Sequence, residues 1–314
     1  MEAMALERKK EQNRILKQRL LELKKERNAI ILAHYYQRDE IQEVADFRGD
    51  SFLLAQKAAQ TDADTIVFCG VHFMGESAKI LAYDKTVIVP DERAGCPMAD
   101  MVNVDGLRKL KAKHPNAKVV TYINSSAEVK AETDIVCTSA NAVKIIQSLD
   151  ADEIIWVPDK NLGNYVAKFT DKKMIIWEGY CNTHDMLVVK DVVEMRKQYP
   201  NARFVAHPEC RPEVVAMADF VGSTTAIIKY CRESEHDEFI VGTEDGTGYQ
   251  LRKDSPQKKF HFASKYLVCP NMKVNNLKKL VRALETMRPQ IYVPPHVADK
   301  ARVSLLRMLE VAGK

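Results

Sequence analysis

The apolar residues of this chain fall into short continuous runs, such as Ile30–Ala33, Thr65–Phe68 and Thr86–Val89. Continuous apolar runs of this length are typical of parallel strands that helices bury on both faces. Helical patterns lie between the runs, for example over residues 51–60 and 140–148. The pattern therefore predicts an α/β protein in which strands and helices alternate as βαβαβαβ.

This pattern occurs three times along the chain. Residues 28–36 read NAIILAHYY, residues 116–124 read NAKVVTYIN and residues 201–209 read NARFVAHPE. Equally spaced aspartates follow in each copy, and then a lysine that precedes a further apolar run: Asp46, Asp64 and Lys85; Asp134, Asp152 and Lys173; Asp219, Asp237 and Lys259. A register that persists through three copies predicts a triplicated domain.

We therefore predict three pseudo-symmetric repeats of a four-stranded parallel sheet sandwiched by helices, arranged about a pseudo-threefold axis. The predicted segments are an N-terminal helix (1–27), repeat 1 (28–115), repeat 2 (116–200), repeat 3 (201–273) and C-terminal helices (274–314). Leu16, Leu20 and Leu23 lie on one face of the N-terminal helix. A TIM barrel is the rival architecture, but three units of four strands exceed its eight strands.

Composition and charge narrow the function. The 314 residues are 46% hydrophobic and contain 47 Lys and Arg against 43 Asp and Glu, a net charge of +4. Glutamates interrupt the lysines of the first helix, so the sequence predicts no nucleic-acid partner. No run approaches the length of a membrane span or a signal peptide, which predicts no membrane partner. Seven cysteines in such a chain predict a cytoplasmic protein with reduced thiols.

Polar side chains recur where the first strand of each repeat ends. Aligned positions there hold His34, Tyr122 and His207, and the positions two residues further on hold Tyr36, Asn124 and Glu209. Ligands of parallel sheets bind at the carboxyl ends of the strands. These side chains are thus candidate proton-transfer and binding residues.

Hydroxyl side chains recur at the end of the second strand, where the next helix is predicted to begin. The aligned residues are Ser51, Ser139 and Thr224, and Ser223 precedes the last of them. Such hydroxyls are either helix N-caps or part of an anion site, since free N–H groups and the helix dipole favour phosphate or carboxylate. We predict that Ser139, Ser223 and Thr224, followed by Ser51, bind a ligand.

One cysteine follows the fourth strand of each repeat: Cys96, Cys181 and Cys269. A pseudo-threefold arrangement brings them together, and three thiolates can hold a 4Fe-4S cluster with one iron left open as a Lewis acid. Cys69, Cys137 and Cys231 are predicted to lie in the core. His184, three residues after Cys181, is predicted to lie near the rim of the cluster.

Two alternatives use the same residues differently. A zinc-dependent lyase or aldolase would bind its ion through His207, Glu209 and Cys210, although this spacing matches no strong zinc motif. An iron-sulfur sensor or electron carrier would explain the cysteines but not the polar strand ends, and carriers normally give every iron a protein ligand.

Several motifs together resemble the quinolinate synthase family. They cover almost the whole chain and read AHYYQ (33–37), DFRGDS (46–51), CPM (96–98), YINSSAEVK (122–130), CTSANA (137–142), HPEC (207–210), VGST (221–224) and CPNMK (269–273). The resemblance implies a non-redox transferase that condenses iminoaspartate with dihydroxyacetone phosphate to quinolinate, with loss of phosphate and two waters, in NAD biosynthesis. It also implies a three-domain fold with a 4Fe-4S cluster on one cysteine per domain.

The resemblance assigns the same site residues as the repeat does. By motif, the site would be lined by His34, Tyr36, Ser51, Tyr122, Asn124, Ser139, His207, Glu209, Ser223 and Thr224. An L-aspartate oxidase or aspartate dehydrogenase is the expected partner, since either would supply the imine. We expect Glu209, facing a negatively charged cluster, to be partly protonated near neutral pH.

Overall fold

The computed structural model describes residues 2–313, so the predicted limits at residues 1 and 314 lie outside the described residues. The first described helix, α1, spans Glu2–Glu26. Its buried leucines, Leu20 and Leu23, are each 1% exposed, as the amphipathic pattern predicts. Burial of a leucine side chain contributes about 1.5–3 kcal/mol, so these two residues fix α1 on the first repeat.

The first repeat contains one parallel sheet in the order β2-β1-β3-β4. Its strands are β1 (Ala29–His34), β2 (Phe47–Gly49), β3 (Thr65–Cys69) and β4 (Thr86–Ile88). Its helices are α2 (Asp39–Val44), α3 (Ser51–Gln60), α4 (His72–Leu81), α5 (Pro97–Asp100) and α6 (Val104–Lys113).

The second repeat has the same order, β6-β5-β7-β8, and is again parallel. Its strands are β5 (Lys118–Tyr122), β6 (Ile135–Cys137), β7 (Glu153–Val157) and β8 (Lys173–Ile176). Its helices are α7 (Ala127–Ala131), α8 (Ala142–Ser148), α9 (Lys160–Ala167), α10 (Asn182–Asp185) and α11 (Val189–Gln198).

The third repeat completes the set with the order β10-β9-β11-β12. Its strands are β9 (Arg203–Ala206), β10 (Phe220–Val221), β11 (Glu238–Gly242) and β12 (Lys259–Phe262). Its helices are α12 (Pro212–Val215), α13 (Thr224–Glu233), α14 (Thr247–Asp254) and α15 (Pro270–Lys273). Three separate four-stranded sheets confirm the predicted fold and exclude a single eight-stranded barrel. The domain limits themselves stay a prediction.

The equally spaced aspartates make the same hydrogen bonds in each repeat. The carboxylates of Asp46, Asp134 and Asp219 accept the N–H groups of Ile31, Val119 and Phe204 in the first strand, at 2.8, 2.8 and 2.7 Å. The carbonyls of Asp64, Asp152 and Asp237 accept the N–H that begins the fourth strand, at 3.0, 2.8 and 2.8 Å. The aspartates recur in the sequence because each repeat uses them for the same hydrogen bonds to its strands.

Two helices follow the third repeat: α16 (Leu277–Thr286) and α17 (Pro295–Gly313). Helix α16 packs with α1 over the outer face of the first sheet, where Cys69 is buried as predicted. Helix α17 packs on α4, α7 and β6 and so joins the first repeat to the second. Among the described helices, none is both long and apolar enough to cross a membrane.

Candidate functional site

A cavity of about 180 Å³ lies where the carboxyl ends of the strands of all three repeats meet. Twelve of the thirteen predicted site residues line it: His34, Tyr36, Ser51, Cys96, Tyr122, Asn124, Ser139, Cys181, His207, Glu209, Thr224 and Cys269. Ser223 is the exception, since its hydroxyl instead accepts the N–H of Ala226 and caps α13. The repeat therefore brings together residues up to 235 positions apart.

The three cysteines occupy equivalent positions. Each is the N-cap residue of a four-residue helix: Cys96 of α5, Cys181 of α10 and Cys269 of α15. All three are partly exposed, whereas the other four cysteines are buried. The predictions that Cys69 and Cys137 are core residues of strands are confirmed.

The backbone N–H three residues further along the chain bonds each sulfur. The donors are Ala99 for Cys96, His184 for Cys181 and Met272 for Cys269. Burial raises the pKa of all three thiols, that of Cys96 to about 12, and these N–H groups act in the opposite direction. Thiolates at these positions therefore need a cation, which a metal centre supplies.

The spacing of donor atoms distinguishes two kinds of metal centre. Cys181, His184 and Glu209 offer ligand atoms within 4.8 Å of one another, close enough for a single ion. In the described part of the chain the three cysteines form no such group, so they are too widely spaced to share one ion. The three cysteines therefore do not form a single-ion site of the kind that Cys181, His184 and Glu209 offer.

The zinc site of the alternative prediction is not assembled. The thiol of Cys210 is buried and donates to the carbonyl of Gly242 at 3.4 Å. Cys210 is absent from the described residues that line the cavity. The prediction of Cys210 as a ligand beside His207 and Glu209 is wrong, because the turn after β9 directs the thiol into the core of the third repeat.

Glu209 lies at the centre of the polar side of the cavity and is 3% exposed. One carboxylate oxygen accepts the hydroxyl of Tyr122 at 2.5 Å, and the other lies 2.7 Å from Nδ1 of His184. The ring of His184 stacks on that of His207 with centroids 4.7 Å apart. Nδ1 of His184 also lies 3.2 Å from the sulfur of Cys181, so this histidine connects the carboxylate to a predicted cluster ligand.

These contacts keep Glu209 ionised. The pKa of Glu209 is lowered in spite of its burial, because His184 and Tyr122 donate hydrogen bonds to the carboxylate and any positive charge on His207 or His184 adds to their effect. The prediction of a partly protonated Glu209 concerns the protein with a negatively charged cluster beside this group, and it stays a prediction.

The hydrogen bonds continue to the far side of the cavity. Nε2 of His184 lies 3.0 Å from the hydroxyl of Thr243, which is 2.9 Å from the hydroxyl of Tyr36. Tyr36 in turn lies 2.8 Å from the hydroxyl of Thr224. A continuous chain of hydrogen-bonding side chains therefore joins Thr224 to Glu209, an arrangement suited to proton transfer.

His34 and His207 share one orientation. Nδ1 of His34 accepts the N–H of Tyr36 at 3.1 Å, and Nδ1 of His207 accepts the N–H of Glu209 at 3.3 Å. Burial lowers the pKa of both histidines to about 3, so both rings are neutral. Each therefore carries its proton on Nε2, which in His207 donates to the hydroxyl of Ser139 at 3.2 Å.

The hydroxyls that line the cavity differ in their position relative to the helices, and one buried amide oxygen is available to a ligand. Ser51 and Thr224 are the first residues of α3 and α13, whereas Ser139 lies three residues before α8. The helix start predicted at Ser139 is therefore wrong, because the intervening residues form a turn that Asn141 closes by accepting the N–H of Thr138. Oδ1 of Asn124 is buried without a donor among the described residues.

Sequence reasoning missed Thr243 and Glu244, and it gave His184 only a position near the cluster. Thr243 and Glu244 follow β11, the third strand of their repeat, and both are fully buried. The same rule about strand ends would have found them, since it was applied only to the first, second and fourth strands.

Comparisons with known proteins identify close relatives. The family model described as Quinolinate synthetase A protein matches residues 18–310. Quinolinate synthase 1 of Methanosarcina acetivorans is 54% identical over 296 residues, which cover 94% of this chain and 97% of that protein. The quinolinate synthases of Geobacter sp. strain M21 and Geotalea uraniireducens are 55% and 56% identical, over 94% and 91% of this chain and 97% and 94% of their own.

Proposed function

The chain belongs to the quinolinate synthase family, and we propose that it condenses iminoaspartate with dihydroxyacetone phosphate to give quinolinate, phosphate and two waters. Its relatives are named quinolinate synthases, and the chain is an enzyme of this type. The observation that carries the proposal is the convergence of one equivalent cysteine from each repeat on a cavity that also holds Glu209 and its hydrogen-bond chain.

We propose that Cys96, Cys181 and Cys269 hold a 4Fe-4S cluster. Their equivalent helix-capping positions, their N–H···S hydrogen bonds and their failure to form a single-ion group among the described residues support a polynuclear centre. A cluster with three cysteine ligands supplies an iron that acts as a Lewis acid toward a substrate carboxylate or hydroxyl.

The hydroxyls of Ser51, Ser139 and Thr224 are proposed to bind the phosphate. None of the described residues that line the cavity is a lysine or an arginine, so neutral donors, the hydroxyls and backbone N–H groups among them, have to hold this anion. The N-termini of α3 and α13 favour negative charge at the same positions. The free Oδ1 of Asn124 is suited to accept a hydrogen bond from the substrate nitrogen or a substrate hydroxyl.

We propose that the residues around Glu209 carry out the proton transfers of the reaction. Loss of two waters requires protons to be taken from carbon and delivered to leaving oxygens. An ionised Glu209 can take a proton, and Tyr122, Tyr36 and the Nε2–H of His207 can donate one. His34, with the same Nδ1 acceptor geometry, presents its Nε2–H to the cavity from the first repeat.

The imine substrate is unstable in water, so an enzyme that oxidises aspartate has to supply it. An L-aspartate oxidase or an aspartate dehydrogenase is the proposed functional partner. Seven cysteines without a disulfide in the described part of the chain support a reducing compartment, and we propose the cytoplasm.

One observation favours a second candidate. Cys181, His184 and Glu209 could bind a single divalent ion, and a zinc-dependent lyase or aldolase would use that set. An electron carrier is disfavoured, because a carrier needs neither the polar cavity nor an open ligand position.

Anaerobic purification followed by a quinolinate assay separates these functions. The imine can be formed in place from oxaloacetate and ammonia, and dihydroxyacetone phosphate is then added. The proposal predicts quinolinate formation by protein with about four irons and four sulfides per chain, and none after the iron is chelated. Activity in protein that contains zinc and no sulfide would support the single-ion alternative.

A further inference from the structure

The buried carboxylate of Glu244 lies between two loops of the site. Glu244 is 0% exposed, and one of its oxygens accepts the N–H of Cys269 at 2.9 Å. The other oxygen accepts the N–H of Gly246 at 2.8 Å. Glu244 therefore fixes the backbone of the third cysteine, although it has no part in the proton chain described above.

Lys273 neutralises this carboxylate and extends the connection to the first repeat. Its Nζ lies 2.9 Å from one oxygen of Glu244 and 2.7 Å from a carboxylate oxygen of Asp245. The same ammonium donates to the carbonyl of Tyr36 at 2.8 Å. Lys273 closes the helix that Cys269 begins, and its own N–H bonds the carbonyl of Cys269 at 3.2 Å.

The packing around this pair leaves little room for adjustment. A Cβ added at Gly246 would lie 2.7 Å from the carbonyl carbon of Tyr36 and 2.8 Å from Nζ of Lys273. These distances are well below van der Waals contact. The loop of Glu244 and the loop of Tyr36 are therefore in contact through backbone, and the ammonium fills the space between them.

The Lys273 ammonium and the N–H groups of Cys269 and Gly246 all donate to the oxygens of Glu244, an arrangement that favours the carboxylate. Burial outweighs these donors and raises the pKa of Glu244 to about 8, so the proximity of the Lys273 ammonium and not the pKa alone favours the charged pair. Removal of one member of such a pair leaves the other as a buried charge without compensation, and the local structure has to rearrange.

We infer that Glu244 and Lys273 are positioning residues that hold Cys269 at a fixed place relative to Tyr36. Retention of the metal centre and the position of Tyr36 in the cavity then both depend on this one pair. The inference rests on the proposed function, because it takes Cys269 as a cluster ligand. Tyr36 bonds Thr224 and Thr243 through its hydroxyl, so a shift of its backbone would reach the proton chain.

The test compares E244Q, K273M and K273R with the matched control D219N. Asp219 also accepts a backbone N–H, that of Phe204, and pairs with Arg196 and Arg203, but it is not among the described residues that line the cavity. Each variant is reconstituted with iron and sulfide without oxygen. The rate of iron loss to a chelator, the unfolding temperature of the apoprotein and the KM for dihydroxyacetone phosphate are then measured.

We expect E244Q and K273M to lose iron about 10- to 100-fold faster than wild type, as is typical for loss of a residue that orients a metal ligand. Their KM should rise, K273R should retain iron better than K273M, and D219N should lose iron at the wild-type rate. K273R retains the charge and so tests the inference even if E244Q does not fold.

Two results would overturn the inference alone: wild-type iron loss in E244Q and K273M, or iron loss that merely follows apoprotein stability across all variants, D219N included. A wild-type protein that assembles no iron-sulfur centre would instead overturn the proposed function, and the inference with it.

Discussion

The hydroxyl of Tyr122 in the second repeat lies 2.5 Å from the carboxylate of Glu209 in the third. The same carboxylate lies 2.7 Å from His184, which belongs to the second repeat as well. An ionised acid is thus held between donors that come from another repeat, at the edge of the cavity where the cysteines meet.

The first prediction concerns Glu209. Glu209→Gln keeps the shape of the side chain but can no longer take up a proton, so turnover should fall by about 100- to 10,000-fold. Quinolinate formation is measured beside the visible spectrum of the same anaerobic sample. The spectrum should be unchanged, because Glu209 is not a predicted cluster ligand. Near-normal turnover would reduce Glu209 to a structural acceptor and leave proton transfer to His34, Tyr36 or His207.

The second prediction separates two adjacent hydroxyls. Thr224→Val removes a hydroxyl that lines the cavity, and the affinity for dihydroxyacetone phosphate should fall by about 10- to 100-fold, as expected for a hydrogen bond to a charged group. Ser223→Ala removes the cap of α13 and should lower stability by about 1 kcal/mol while affinity is unchanged.

Calorimetry and denaturant unfolding measure the two effects separately, and Thr224→Ser serves as the conservative control. Weaker binding by Ser223→Ala would instead support the sequence-based prediction that Ser223 binds the phosphate. Unchanged affinity in Thr224→Val would remove Thr224 from the phosphate site.

The third prediction concerns Glu132 and the pH dependence of the free energy of unfolding. Hydrogen bonds from Arg108, with help from Lys111, lower the pKa of Glu132. A carboxyl with a lowered folded-state pKa stabilises the fold above its unfolded-state pKa of about 4.3. This contribution is lost as the pH falls through the lower folded-state value.

Glu132→Gln should therefore lower the free energy of unfolding by about 0.5–1 kcal/mol at pH 7, and by less at pH 3. Denaturant unfolding at the two pH values measures this. Glu194→Gln is the control, since that carboxylate is 62% exposed and 3.9 Å from Lys190. An equal loss at both pH values would show that the charge of Glu132 does not stabilise the fold.

Much of the fold could be predicted from the sequence because the repeated residues make the same hydrogen bonds to the strands in each repeat. Asp46, Asp134 and Asp219 occupy one register since each bonds the first strand of its own repeat. Local patterns of this kind involve residues close in sequence. They predicted helix α3 to its residue bounds, Ser51–Gln60.

The site was less predictable where side chains meet across repeats. His184 reaches Glu209 and Thr243, and Lys273 reaches Tyr36, through orientations that no local pattern records. The turn before α8 also escaped prediction, because Asn141 and not Ser139 closes it.

The central claim is that one cysteine from each repeat holds the cluster. The direct measurement is iron and acid-labile sulfide per chain, with the visible spectrum, in anaerobic single-cysteine variants. Cys96→Ala, Cys181→Ala and Cys269→Ala should each lose the intact cluster and its absorption, whereas Cys69→Ala, Cys137→Ala and Cys231→Ala should retain both. A full cluster in Cys181→Ala, or a lost cluster in the three core variants with the ligand variants unaffected, would contradict the account.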